Sequence, residues 1–225
     1  MGFLQNATTV VYMLHTRDHA GQMADIYRLL SEDEQKHARR FVKNTDKTLY
    51  ILSHGMLRKI LGARLSQDPA HLAFRKEKQG KPALEGEKIH FNISHSGEVV
   101  LIAVSDTQTG VDVEYMKPDF DYEEILATNF CGRESKAARS ALDGRKMFYR
   151  LWTRKEALLK ADGIGLTDDL TKIDVSDGVR EIPEDLYHLK GAWNTMSFTA
   201  DEHHVGCIAT QSRTVSFVRL RPGDL

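Results

Sequence analysis

Asp112 and Glu114 stand two apart in the run Gly110-Val111-Asp112-Val113-Glu114, and side chains two apart on a β-strand leave the same face. The spacing predicts converging carboxylates, with Val111 and Val113 turned into a core. Two neighbouring carboxylates repel unless a cation joins them. A small set of hard oxygen donors suits Mg²⁺, which keeps some of its waters and completes its shell with phosphate oxygens. The same spacing also describes a surface strand with two solvated acids, so by itself it does not select a metal site.

Farther along, Phe148, Trp152, Glu156 and Lys160 recur at every fourth position of a helical run. They form one line, with an aromatic end for a core and a charged end for a cleft. Taken alone, Glu156 and Lys160 make a routine helix pair of small energetic weight. Beside the Asp112 strand, Glu156 offers a third carboxylate to the same cation and Lys160 an ammonium to a phosphate. A third group joins Gly80-Lys81-Pro82, a lysine on a constrained loop, to Phe91-Asn92-Ile93-Ser94-His95-Ser96-Gly97. That turn offers hydroxyls, backbone N–H groups and an imidazole to an anion. Ser94 and Ser96 sit in no G-x-S-x-G elbow and no acid is assigned to orient His95, which argues against a serine hydrolase.

These side chains need elements to hold them. Thr8 to Leu14 reads as a strand, and SEDEQKHARRF as a helix whose mixed charges face solvent. Leu49, Leu52, Met56 and Ile60 mark a helix from Asp46, its expected N-cap, to Leu65, with Gly62 near its end. IHFNI, VVLIAV and GVDVE read as a strand meander broken by turn-rich HSG and SDTQTG. Helical segments follow from Tyr122 to Leu142 and from Arg145 to Asp162, the second closed by Gly163. LTKIDV, TMSFTA, VGCIAT and TVSFVRL read as strands of a mostly antiparallel sheet. Helix then strands, twice over, is the pattern of an α+β protein.

A chain of 225 residues buries a core as one large domain or two small lobes. Lys plus Arg (31) and Asp plus Glu (32) nearly cancel. That removes the electrostatic warrant for nucleic-acid or membrane binding and requires any anionic ligand to be held locally. No apolar run has the length to span a bilayer, and the opening segment lacks the pattern of a secretory leader, so a cytoplasmic protein is expected. Cys131 and Cys207 fit no zinc spacing and read as small hydrophobes in a reducing compartment.

Taken in order, GKP, FNISHSG, GVDVE and LWTRKEALLK resemble the Sfp-type 4′-phosphopantetheinyl transferases, whose hallmarks are a G-[I/V]-D-[I/V]-E strand and a W-x-x-K-E-x-x-x-K helix. The resemblance is clear from Gly80 to Gly165, extends back through the RRF segment, and is thin in the last quarter. It implies a monomeric pseudo-dimer of two similar α+β lobes, 1–108 and 109–225, with coenzyme A in the cleft between them. By the same resemblance Asp112, Glu114 and Glu156 hold Mg²⁺ against the pyrophosphate, Lys160 contacts the phosphate under attack, and Glu156 is the candidate base. Lys81 with Pro82, Asn92 and Ser94 would line the cofactor, His95 would meet its ribose 3′-phosphate, and Lys155 and Trp152 would line the cleft.

The reaction so implied is attack of a serine hydroxyl of an apo acyl- or peptidyl-carrier protein on the cofactor's β-phosphate, releasing adenosine 3′,5′-bisphosphate. The carrier's acidic helix would dock at Lys136 to Lys146, with Arg139 and Arg145. The chain departs from the family pattern where two lysines ahead of the RRF segment grip the 3′-phosphate: it carries Glu34 and His37 there. Two other readings use the same residues. One is a Mg²⁺-dependent nucleotide pyrophosphohydrolase, with water as nucleophile. The other is a non-catalytic module for coenzyme A binding or carrier docking, whose expected loss of an acid or of Lys160 is not seen.

Overall fold

The run Val99–Ser105 is buried along its whole length, as a strand covered on both faces must be. The layers of the protein are built outward from it. The computed structural model describes residues 4–76, 80–163, 170–176, 179–181 and 191–225, so Gly165, where the family-like segment ends, lies outside the described residues. In chain order the elements are β1 (Leu4–His15), α1 (Met23–Arg28), α2 (Glu32–Ala38), α3 (Asn44–Leu65), β2 (Phe74–Lys76), β3 (Pro82–Leu84), β4 (His90–Ser96), β5 (Val99–Ser105) and β6 (Thr109–Tyr115). Then come α4 (Glu123–Asn129), α5 (Gly132–Ser140), α6 (Gly144–Asp162), β7 (Val179–Glu181), β8 (Ala192–Asp201), β9 (His204–Thr210) and β10 (Ser212–Arg219), completing an α+β arrangement. Among the described residues no helix is long and apolar enough to cross a membrane.

One sheet has the order β10-β1-β5-β4 and a second the order β6-β9-β8-β7. Val100, Ile102 and Val104 of β5 bury against Leu52, Met56 and Ile60 of α3. The alternate residues Val99, Leu101 and Ala103 meet Val111 and Val113 of β6 and Ile208 of β9. The far face of the second sheet, with Val205, Cys207 and Ala209, packs on Phe148, Leu151 and Leu158 of α6. The layers therefore run α3, first sheet, second sheet, α6, and β6 with its Asp112 and Glu114 lies where the two sheets meet.

Three expectations are corrected. Asp46 does not cap α3, which starts at Asn44 and runs through Gly62 to Leu65, where Ser66 adopts the left-handed conformation (φ 54°). Gly62 serves packing instead, since a Cβ there would lie 2.8 Å from the Gln67 carbonyl oxygen. LTKIDV is not a strand: Leu170–Lys172 form a 3₁₀ turn. The carbonyls of Leu170, Ile173, Val175 and Ser176 accept from Lys155 and Arg154, so side chains occupy the acceptors that a ladder would have used. TVSFVRL is a strand, but β10 runs parallel to β1 in the first sheet, from Thr8 opposite Thr214 to Met13 opposite Arg219. Gln211 alone separates β9 from β10, short of the two residues of a tight hairpin, so the chain continues straight into the other sheet. Hydroxyls of Thr9, Ser105 and Thr210 join at 2.8 and 2.9 Å where it crosses.

Candidate active site

Helix α6 lies on β6 with almost no side-chain layer between them. A Cβ on Gly110 would come 2.0 Å from the Ala157 carbonyl oxygen and 2.4 Å from the Ala161 nitrogen, so this position accepts only glycine. Closeness here sets Glu156 and Lys160 over the acid-bearing face of β6. The aromatic end of the same line behaves as its spacing predicts: Phe148 is buried against Tyr122 and Phe130, with the Trp152 ring stacked beside it.

Across the other edge of β6 stands β4, joined to it by side chains rather than by a backbone ladder. Asn92, Ser94 and Ser96 alternate along one face of β4, and their oxygens accept the N–H groups of Val111 (2.9 Å), Val113 (3.3 Å) and Tyr115 (3.0 Å) in turn. An edge strand's free donors are thus satisfied without merging the sheets. Ser94 then donates its hydroxyl to Asp112 Oδ1 at 2.9 Å, and Ser96 donates to Glu114 Oε2 at 3.0 Å. Each hydroxyl aims one carboxylate. Ser96 has no assigned role in the sequence reading. The signal that could have found it is the N-x-S-x-S alternation itself, three polar side chains on one face of a strand followed by an acid-bearing strand.

Lys160 Nζ donates to Asp112 Oδ1 at 2.6 Å and to Ser94 Oγ at 2.8 Å. Asp112 Oδ2 is buried with no partner among the described residues. Burial raises the Asp112 carboxyl above its ordinary range, against the pull of Lys160. Glu114 is raised by burial and then by Asp112. Glu156 is pushed up to about 7 by burial first and then by Asp112, with Lys160 opposing and Glu114 adding to the rise. One ammonium faces three acids that disfavour one another's charge. Hard oxygen donors and an unpartnered buried carboxylate oxygen are the chemistry a divalent cation fits. The acids stand at wider spacing than a closed ligand set: among the described residues, the trio with ligand atoms within 4.8 Å of one another is Cys131, Glu134 and Asp174. There the Lys155 ammonium, 3.0 Å from Glu134, already fills the cationic role.

A pH effect on stability follows. A carboxyl that binds its proton more tightly when folded contributes stability that is full below its ordinary value, 4.5 for Glu156, and is lost as pH rises through about 7. Asp106 and Asp201 are held below the ordinary carboxylate value and titrate under that window. His54 and His95, lowered from 6.5 mainly by burial, act in the opposite sense below that value. The fall in melting temperature from about pH 5 to about pH 8 without divalent cation is therefore expected in the parent relative to Glu156→Gln, and Mg²⁺ is expected to reverse most of it at the higher pH. A thermal-shift series in both conditions checks this. A Mg²⁺ effect equal at the two ends would count against the acid cluster as its site.

The remaining predicted residues are placed unevenly. Lys81 donates to the carbonyls of Thr109 (3.1 Å) and Ala161 (2.9 Å), tying the start of β6 to the end of α6, and Pro82 beside it is exposed. His95 points away from the acids, as its odd position on β4 requires. The residue is exposed, and partial burial of the ring and then the Lys160 charge lower its pKa. Lys155 is not brought to the acids at all: it is fully buried on another face of α6, bonded to Glu134, Leu170 and Ile173. Glu34 is half-buried and His37 is exposed, and each is already engaged with neighbours. Glu34 closes the capping box of α2 and pairs with Arg58 at 2.8 Å, and His37 packs on Phe41 and Tyr50.

Known proteins carry the same arrangement of sequence. A family model described as 4′-phosphopantetheinyl transferase, N-terminal, matches residues 18–107, and the model of the 4′-phosphopantetheinyl transferase superfamily matches residues 108–208. The chain is 36% identical over 196 residues to the 4′-phosphopantetheinyl transferase HetI of Nostoc sp. (strain PCC 7120), covering 84% of this chain and 81% of that one. It is 29% identical over 150 residues to the 4′-phosphopantetheinyl transferase Sfp of Bacillus subtilis (strain 168), covering 65% and 66%. With the human L-aminoadipate-semialdehyde dehydrogenase-phosphopantetheinyl transferase it shares 28% identity over 209 residues, covering 81% and 67%. Similarity of this extent, over both sheets and through the acid strand and helix α6, shows that the chain belongs to the 4′-phosphopantetheinyl transferase family of enzymes.

Proposed function

We propose that this enzyme transfers 4′-phosphopantetheine from coenzyme A to a serine of an apo acyl- or peptidyl-carrier protein, releasing adenosine 3′,5′-bisphosphate, with Mg²⁺ held by Asp112, Glu114 and Glu156. The observation that carries the reading is the Lys160 ammonium of α6 donating to Asp112 at 2.6 Å, with Glu114 and Glu156 close enough to feel the Asp112 charge. When bound, Mg²⁺ would offset charge on the pyrophosphate oxygens. Lys160 sits beside the acids and supplies a cation to the phosphate under attack. Glu156, raised to about 7 in the metal-free protein and lowered again when a cation is bound, is the candidate acceptor of the serine proton. Ser94, saturated by Asp112, Val113 and Lys160, aims the acid and leaves anion contact to His95 and to Lys81. For the 3′-phosphate, Glu34 is committed to Arg58, and the half-buried Lys47 is the candidate source of charge.

In this reading the lobes divide as 1–108 and 109–225, a monomeric pseudo-dimer supported by the repeated order of helix and strands, with β10 returned to the first sheet. The carrier docks on α5, where Lys136 and Arg139 line an open groove of about 650 Å³ with Phe130, and Leu142 beyond it is fully exposed. Incubation with coenzyme A, Mg²⁺ and apo-carrier is expected to add the mass of phosphopantetheine to the carrier. No gain across several carriers overturns the proposal. Release of adenosine 3′,5′-bisphosphate without carrier would favour hydrolysis instead, and coenzyme A binding without turnover a docking module.

A further inference from the structure

One buried polar cluster has no part in the chemistry above. Asp201, at the end of β8, receives two imidazoles on its two oxygens. His15 Nε2 lies 2.9 Å from Oδ2 and His204 Nδ1 lies 2.7 Å from Oδ1, which also accepts the His203 N–H at 2.9 Å. His15 ends β1 and His204 begins β9, so the carboxylate links the first sheet to the second. Both rings are buried, and their outer nitrogens, His15 Nδ1 and His204 Nε2, meet no polar partner among the described residues. An ionised carboxylate only accepts, so the nitrogen facing Asp201 carries the proton on each ring. Each tautomer is thereby fixed by a single acceptor.

What the two rings touch gives the cluster its meaning. His15 pairs with Val99, and the next residue, Thr16, donates its N–H to the Glu98 carbonyl at 2.9 Å. His204 pairs with Tyr115, their rings 5.2 Å apart, and sits under Gly97 so closely that a Cβ there would lie 2.6 Å from Nε2. Gly97 also holds φ at +56°, so both its conformation and its neighbour exclude a side chain. Asp201 therefore grips the turn between β4 and β5 at both of its ends. The residue before Gly97 is Ser96, which aims Glu114, and the residue before Tyr115 is Glu114 itself.

We propose that Asp201, acting through His15 and His204, is a positioning residue for the acid site: the triad clamps the Ser96–Val99 turn and thereby holds Ser96 against Glu114. The consequence for metal affinity rests on the proposed Mg²⁺ site, whereas the clamp does not. Two measurements separate them. Amide hydrogen exchange reads the clamp without metal, and Mn²⁺ binding followed by electron paramagnetic resonance reads the site without turnover. In Asp201→Ala and His15→Leu, exchange is expected to accelerate at least about tenfold in the peptides bearing residues 95–99 and Tyr115, and Mn²⁺ affinity to fall about tenfold, as for loss of an outer support of a metal site. His15→Gln, whose amide nitrogen can take the place of Nε2, is expected to restore both, which a merely space-filling role would not require. Should either Asp201→Ala or His15→Leu keep parental exchange in these peptides while folded, or His15→Gln behave like His15→Leu, the clamp is overturned. A parent protein that binds no Mn²⁺ would instead overturn the metal reading, with exchange still deciding the clamp.

Discussion

Replacing Lys155 by Met is expected to lower stability by about 3–5 kcal/mol, as for a buried ion pair left with one charge. Lys155 and Glu134 are both fully buried, 3.0 Å apart. Glu134 also accepts the N–H groups of Cys131 and Val175, each at 2.8 Å. Burial pulls the Lys155 pKa down and Glu134 opposes it, which marks the pair as mutually dependent. The lysine also holds the carbonyls of Leu170 and Ile173, so its loss would free the segment that α6 anchors. Urea unfolding measures the cost. The double change Lys155→Met with Glu134→Gln should recover much of it, because neither charge is then left alone. A loss under about 1 kcal/mol would show that the pair does not hold the helix. The enzyme that remains folded should keep its affinity for coenzyme A, since this ammonium does not reach the acids.

Asp112→Asn should act in the opposite sense, sparing the fold and removing the reaction. The side chain keeps its shape, and the Ser94 and Lys160 contacts can be remade to the amide. A carboxylate already disfavoured by burial gives up little when its charge is removed, so melting without divalent cation should be unchanged or slightly higher. Transfer, by contrast, is expected to drop about a thousandfold, the upper end for deleting one electrostatic group of a preorganised site. Mass measurement of the carrier over time provides the rate. More than about a tenth of parental activity would remove Asp112 from the metal assignment, since no single ligand of a working centre is that dispensable.

Much of this site was legible because it depends on periodicity. Val111, Asp112, Val113 and Glu114 could only alternate, and Phe148 to Lys160 could only lie in line, so strand, helix and their facing sides followed from spacing. Their meeting did not follow. It depends on Gly110 admitting the α6 backbone, which local pattern does not reveal. Lys155 shows the same limit from the other side. One position from Glu156, it belongs to another face of the helix and to a partner, Glu134, on a different element. Asn92 and Ser94 read as groups for a ligand, yet they face the N–H groups of β6. A polar side chain on a strand serves whichever donor comes within reach, and tertiary packing decides which that is. LTKIDV has strand composition and lacks a strand because Arg154 and Lys155 take its carbonyls.

The return of β10 to β1 also bears on how the protein is made. β1 lies between β5 and β10, so after β5 has emerged from the ribosome one side of the first strand remains an open edge until Ser212–Arg219 follow. Through that interval the nascent chain presents unpaired N–H and C=O groups, the template on which strands of other chains add. Closing the edge joins segments nearly the whole chain apart, which places this step late and makes it slow. Among the described strands, the latest in chain order is thus the one that shields the earliest.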